Sequence, residues 1–317
     1  MNSRALAGIP SALVLLLALA ACSPNRDDSE FFSPARVDVL VIDAVLIVDR
    51  PLPVLRLSRT ISPEAPYAAD ETGESGASIL IRDEAGNVTT YVGAAGGEGF
   101  YVPVIGLPPV VQPATRYELR VETTRDEILT AVTRTPGPIP VQRWVALDPG
   151  NGQEIGTLRT FAELGEGVYD APENQLPYAS VIVETRLGQS AVDGFQLTLI
   201  SLDLDADFVI DPAFFEDEDF AEIERAGSSP ILAAENGAVR LPWFSIFFEG
   251  RHLYKIFAVD RNWFDLIRST PEFNGGFGQG GALGDGFEVP LFNVAGGIGL
   301  FGSASVDSIG FRVLPQE

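Results

Sequence analysis

The chain of 317 residues contains one cysteine, one histidine and one lysine, and each scarcity excludes a class of chemistry. A lone cysteine, Cys22, rules out an intramolecular disulfide. A lone histidine, His252, rules out a histidine-rich metal site, and any Ser-His-Asp arrangement has to use that one residue. Lysine is confined to Lys255, so arginine does the cationic work elsewhere. Positive charge is scarce altogether: 21 Lys and Arg stand against 44 Asp and Glu, for a net charge of −23. Nucleic acid and anionic membrane surfaces are therefore poor partners, because phosphate recognition needs a basic patch. Long apolar runs are also missing. The one present, Ala12 to Ala21, is ten residues long, half of the ~20 that a membrane-spanning helix needs. What the chain does have is 46% hydrophobic residues, enough for a sizeable core and too many for disorder.

The short apolar run has the length of a signal-peptide core, and Arg4 supplies the positive charge ahead of it. It ends in Leu19-Ala20-Ala21-Cys22, which resembles the lipobox of bacterial lipoproteins. The resemblance implies cleavage before Cys22, a diacylglycerol on its sulfur and acylation of the new N-terminus. Small residues let a peptidase grip an extended backbone, and the thiol is the nucleophile that takes the lipid. More than one acyl chain, at ~0.8 kcal/mol per buried methylene, gives stable membrane anchoring. Residues 1–21 are thus expected to be a signal peptide and 22–34 a lipidated tether. Ser23 in place of an aspartate resembles outer-membrane sorting, and the acidic stretch Asn25 to Glu30 is either an export tag or a plain solvated tether. The expected location is the outer membrane, with the leaflet left open.

The rest of the chain reads as strands. "PVLRLSRT" (Pro53 to Thr60) and "TRYELRVET" (Thr115 to Thr123) alternate apolar and polar residues with a period of two, the mark of half-buried strands. Val37 to Val48 is rich in β-branched and aliphatic residues, Ile128 to Thr135 reads as the hairpin partner of Thr115 to Thr123, and "ASILIRDEAGNVTTYV" reads as a hairpin turning at Gly86. About seven short strands in ~100 residues predict an immunoglobulin- or fibronectin-like β-sandwich over 35–136. Tyr117 in "VQPATRYELRV" resembles a tyrosine corner, its hydroxyl bonding back to the preceding turn. "PGPIP" (Pro136 to Pro140) reads as a linker. A second β-rich domain follows over 137–317. Its expected strands are Tyr178 to Arg186, Phe195 to Leu202, Val239 to Phe248, His252 to Val259 and Ile309 to Leu314. Two helices are expected within it: one from Pro212, capped by Asp211 and ending at Gly227, and "RNWFDLIRS", capped by Asp260.

Few motifs point to chemistry. "GFGQGG" (Gly276 to Gly281) and "GIGLFG" (Gly297 to Gly302) fit a dinucleotide fingerprint but lack its strand-turn-helix context. "DLDAD" spaces Asp203, Asp205 and Asp207 like the opening of a calcium loop. Phe208 and Phe214 stand where that loop needs Gly and Glu, so an EF-hand is excluded and only a looser calcium site, helped by Glu216 or Asp217, is left. His252 sits in the alternating run "GRHLYKIFAVD" and reads as an ordinary strand histidine. No cofactor and no catalytic residue is expected.

The stretch "DGFEVPLFNVAGGIGLFGSAS" (Asp285 to Ser305), with "RNWFDLI", "VLRLSRT", "GASILIRDEAG", "TRYELRV" and the lipobox, resembles an uncharacterised family of bacterial cell-envelope lipoproteins. Members are often encoded beside TonB-dependent receptors, which implies an accessory role in uptake or envelope assembly. The expectation is a non-enzymatic binding component held to the membrane through Cys22, with Phe292 and Phe301 as candidate partner contacts. The alternatives are a glycan- or calcium-dependent adhesion module and, last, an envelope hydrolase. The glycines among Phe292, Val294, Ile298, Leu300 and Phe301 are expected to permit close backbone approach and a bulge or tight bend.

Overall fold

A computed structural model describes residues 37–62, 65–66, 68, 72–95, 97–104, 109–139, 141–177, 182–188, 192, 194–209, 225–241, 245–270 and 290–315. The expected signal peptide and tether, with Cys22, lie outside these residues, as do 212–224 of the expected acidic helix and the loop 274–284.

The fold is mainly β. Seven strands come first: β1 (Leu40–Ile47), β2 (Leu55–Arg59), β3 (Ser78–Asp83), β4 (Val88–Gly93), β5 (Phe100–Pro103), β6 (Arg116–Glu122) and β7 (Ile128–Arg134). Their alternation decides which face is buried. On β6, Tyr117, Leu119 and Val121 point into the core while Arg116, Arg120 and Glu122 stay in water. The β3–β4 hairpin turns at Gly86, whose φ of +90° suits glycine. Strands β1, β2 and β5 are neighbours, as are β4, β3, β6 and β7, and the β4–β5 pairing joins the two groups into one path. This is the sandwich arrangement expected from the strand spacing. The tyrosine corner is present: the Gln112 amide donates to the Tyr117 hydroxyl at 2.8 Å.

The second half adds β8 (Val141–Leu147), β9 (Glu154–Thr157), a one-turn helix α1 (Phe161–Leu164), β10 (Gln175–Pro177), β11 (Ile182–Leu187), β12 (Gly194–Ser201), β13 (Ala226–Ser228), β14 (Ala238–Leu241), β15 (Gly250–Val259), α2 (Arg261–Ser269), β16 (Val294–Ala295) and β17 (Ile298–Leu314). Helix α2 starts as its sequence predicts, with the Asp260 side chain accepting from the Trp263 amide at 3.0 Å. The other expected helix is corrected at its C-terminal end. Ala226–Ser228 is a short strand paired with β12, and its backbone groups find partners in that ladder. Strands β8, β9, β11 and β14 form a separate four-stranded sheet. Trp144 of that sheet meets Tyr254 of the large sheet edge-on, with ring centroids 5.3 Å apart, at the centre of a second core.

Strand β17 belongs to both cores. Its first half pairs in parallel with β1, from Val41↔Ile298 to Ile47↔Ala304. Its second half pairs antiparallel with β15, from Val259↔Ala304 to Gly250↔Val313. Phe301 therefore lies in the core of the N-terminal sandwich, while Ile309, Phe311 and Val313 lie in the second core. The parallel pairing requires Gly299. Its φ is +113°, and a Cβ built there would lie 2.0 Å from the Ile42 carbonyl oxygen. The close approach expected of this glycine-rich segment is thus made against β1.

Candidate functional site

Two of the residues singled out by sequence, Phe292 and Phe301, flank the place where β7 meets β17. Phe292 is 36% exposed and its neighbour Leu291 38%, so together they present an apolar edge. Phe301 is corrected from partner contact to core residue, because the strand's alternation turns it inward, fully buried. Its backbone is also occupied. The Asn293 side chain accepts from the Phe301 amide (3.1 Å) and donates to its carbonyl (2.8 Å). Asn262 at the start of α2 donates to the Val132 carbonyl at 2.8 Å and to that of Phe301 at 3.2 Å. Two asparagine amides thus stitch β7 to β17 where no main-chain ladder does.

Next to this seam lies a buried polar cluster. Thr133 of β7 donates to the Asp260 carboxylate, and the Thr133 and Ser303 hydroxyls are 2.9 Å apart. The Asp260 amide donates to the Ser303 carbonyl at 2.9 Å. Burial pushes the Asp260 carboxyl above the usual aspartate range, against the hydrogen bonds from Thr133, Trp263 and Ser303 that pull it down. One carboxylate therefore caps α2 and ties it to the sandwich. The capping role is legible in the sequence. The partners are not, since Thr133 and Ser303 lie 127 and 43 residues away with no local pattern to mark them.

His252 sits on β15, 1% exposed, with its ring stacked on Phe311 at 5.5 Å between centroids. Its Nδ1 lies 3.0 Å from the Gly250 carbonyl. Burial lowers its pKa to about 4, against the Gly250 hydrogen bond and the nearby Asp203 charge, so at neutral pH it is an uncharged imidazole. Asp203 itself is engaged. It accepts from Arg251 Nε at 2.8 Å, from Arg251 Nη2 at 2.6 Å and from the Arg251 amide at 2.7 Å. That pairing holds its carboxyl below the usual range. The calcium candidates Asp203, Asp205 and Asp207 are not brought into one cluster. Among the described residues no three His, Cys, Asp or Glu side chains converge as metal ligands.

An open cavity of about 430 Å³ lies beside the sandwich, lined by Ser75, Gly76, Gly93, Ala94, Phe100 and Tyr101 among others. The Tyr101 hydroxyl is fully used, donating to the Glu74 carbonyl (2.8 Å) and accepting from the Ala77 amide (3.0 Å). Phe100 is 39% exposed at the rim, with the Arg56 guanidinium 5.7 Å from its ring centroid. By register, Val92 and Val102 share the outer face with Phe100 and Val104. At the sandwich end nearest the chain's entry, Arg59 pairs with Glu74, Glu127 and Asp38, and Arg125 also holds Asp38. Sequence reasoning missed both features, since each joins loops that are distant along the chain. Apolar side chains and hydrogen-bonded loops thus lie side by side on this face.

Fold and surface together define a mainly β protein built on an N-terminal sandwich. Residues 27–163 match the model of an uncharacterised family described as Domain of unknown function (DUF4249). The match covers the sandwich and the first strands that follow it, whereas the sequence resemblance noted above runs through to Ser305. No curated protein matches the chain. Among solved structures, the pullulanase from Anoxybacillus sp. LM18-11 aligns at 12% identity over 69% of this chain and 24% of its own, with a TM-score of 0.18. That likeness carries no argument about fold or function, and this chain spans about a quarter of the pullulanase.

Proposed function

We propose that the protein is a lipoprotein of the bacterial outer membrane, anchored through Cys22, whose β domains act as a non-enzymatic binding component of TonB-dependent uptake. The observation that carries this reading is Leu19-Ala20-Ala21-Cys22, placed between a short apolar run and an acidic stretch. The apolar outer face at Val92, Phe100 and Val104 and the edge at Leu291 and Phe292 support it, as surfaces fit for a protein partner. The buried, uncharged His252 and the arginine-bound Asp203 favour it over the hydrolase and calcium-adhesion alternatives.

The test has two arms. Cys22→Ser should abolish labelling by radioactive palmitate and block processing by the lipoprotein peptidase. Acyl chains that still attach to this variant would refute the anchor. Cross-linking in intact cells should then recover a TonB-dependent receptor with the wild type, and recovery should fall when Phe100 and Val104 are both changed to serine. Binding to glycans instead would favour the adhesion reading.

A further inference from the structure

Two buried polar atoms in the second core have no protein hydrogen-bond partner, and they are neighbours. The Ser201 hydroxyl and His252 Nε2 are both shielded from solvent, on residues 6% and 1% exposed. Ser201 on β12 is the register partner of His252 on β15, so both side chains leave the same face of the sheet. That face is the core face, since the alternating positions Leu199 and Tyr254 are buried in the second core.

The roles of the two atoms are complementary. Nδ1 of His252 lies 3.0 Å from the Gly250 carbonyl, which only accepts, so Nδ1 carries the proton of the neutral ring. Nε2 is then a lone-pair acceptor. Ser201 brings a hydroxyl that both donates and accepts. The pair is nonetheless not joined directly, because neither atom makes a hydrogen bond within 3.5 Å. Directly opposed residues on one sheet face are nearest cross-strand neighbours, and a polar site between a donor and an acceptor is where a buried water lodges. A donor and an acceptor left unmet in a core are both destabilising, so native proteins fill such positions.

We propose that Ser201 and His252 hold one buried water, which accepts from or donates to the serine hydroxyl and donates to Nε2. Ser201, the water, the imidazole and the Gly250 carbonyl then form a single chain of hydrogen bonds across β12 and β15. Phe311 covers one face of the ring, and the Asp203–Arg251 pair closes the adjacent strand end.

A crystal structure of the protein at a resolution that shows ordered solvent is the direct test. One water within hydrogen-bond distance of both the Ser201 Oγ and Nε2 is expected. A direct Oγ–Nε2 hydrogen bond, or a dry gap between the two, would overturn the proposal. The single histidine allows an independent check in solution, since nitrogen-15 spectra contain one imidazole. They should show Nδ1 protonated and Nε2 accepting, and Ser201→Ala should move the Nε2 signal while the fold holds by circular dichroism. A proton on Nε2, or an unmoved signal in folded Ser201→Ala, would count against the site.

Discussion

His252 should make the protein less stable as the pH falls below neutral, by an amount that one substitution can isolate. Its pKa is about 4 in the folded protein against 6.5 for an exposed histidine. The sign follows from proton uptake. Between these values the unfolded chain binds a proton that the native protein refuses, so stability present above about pH 6.5 is lost progressively down to about pH 4. The loss amounts to roughly 2 kcal/mol at about pH 5 and roughly 3 kcal/mol once both states are protonated. Carboxyls whose pKa burial raises work in the opposite direction, whereas Glu184, held low against burial by Arg240 and Arg186, and Asp203, held low by Arg251, act in the same direction as His252. Asp260 and Asp307 have raised pKa values through burial, so they take up protons first in the folded state and favour it as the pH falls. The comparison must therefore be between variants. Urea unfolding followed by circular dichroism, run at a series of pH values from neutral down to about 5, should give a shallower decline for His252→Phe and for His252→Gln than for wild type. Phenylalanine keeps the stack on Phe311 and glutamine puts an uncharged amide in the core, so at least one variant should fold. Parallel declines in wild type and both variants would refute the argument and place the imidazole in contact with water.

Two further outcomes test the fold. Tyr117→Phe leaves the Gln112 amide without its acceptor and should lower the urea midpoint by the equivalent of about 1 kcal/mol, whereas Glu118→Gln breaks only an exposed pair with Arg116 and should change little. Equal shifts in the two variants would remove the tyrosine corner. Gly299→Ala should cost several kcal/mol and leave little soluble protein, because a Cβ at φ +113° meets the Ile42 carbonyl. A Gly86→Ala control, also at positive φ but with open space around it, should lose only about 1 kcal/mol. An undisturbed Gly299→Ala would show that β1 and β17 are not closely paired.

Much of this protein was written locally. Alternation with a period of two marked β2 and β6 and named their buried residues, because each side chain's face depends only on its parity along the strand. Asp260 announced α2 because a cap acts within three residues. The resemblance of Leu19-Ala20-Ala21-Cys22 to a lipobox likewise reads from four consecutive residues. What the tertiary structure decided was everything that pairs distant segments. Phe301 looked like a surface aromatic among glycines, and it became core only because β17 inserts beside β1, more than 250 residues earlier in the chain. Asp203 looked like the first ligand of a cation loop until Arg251 claimed it from a neighbouring strand. Ser201 carries no signal at all. Its pairing with His252 exists because β12 and β15 align in one register, and register is set by packing a whole sheet face, which no short stretch of sequence contains.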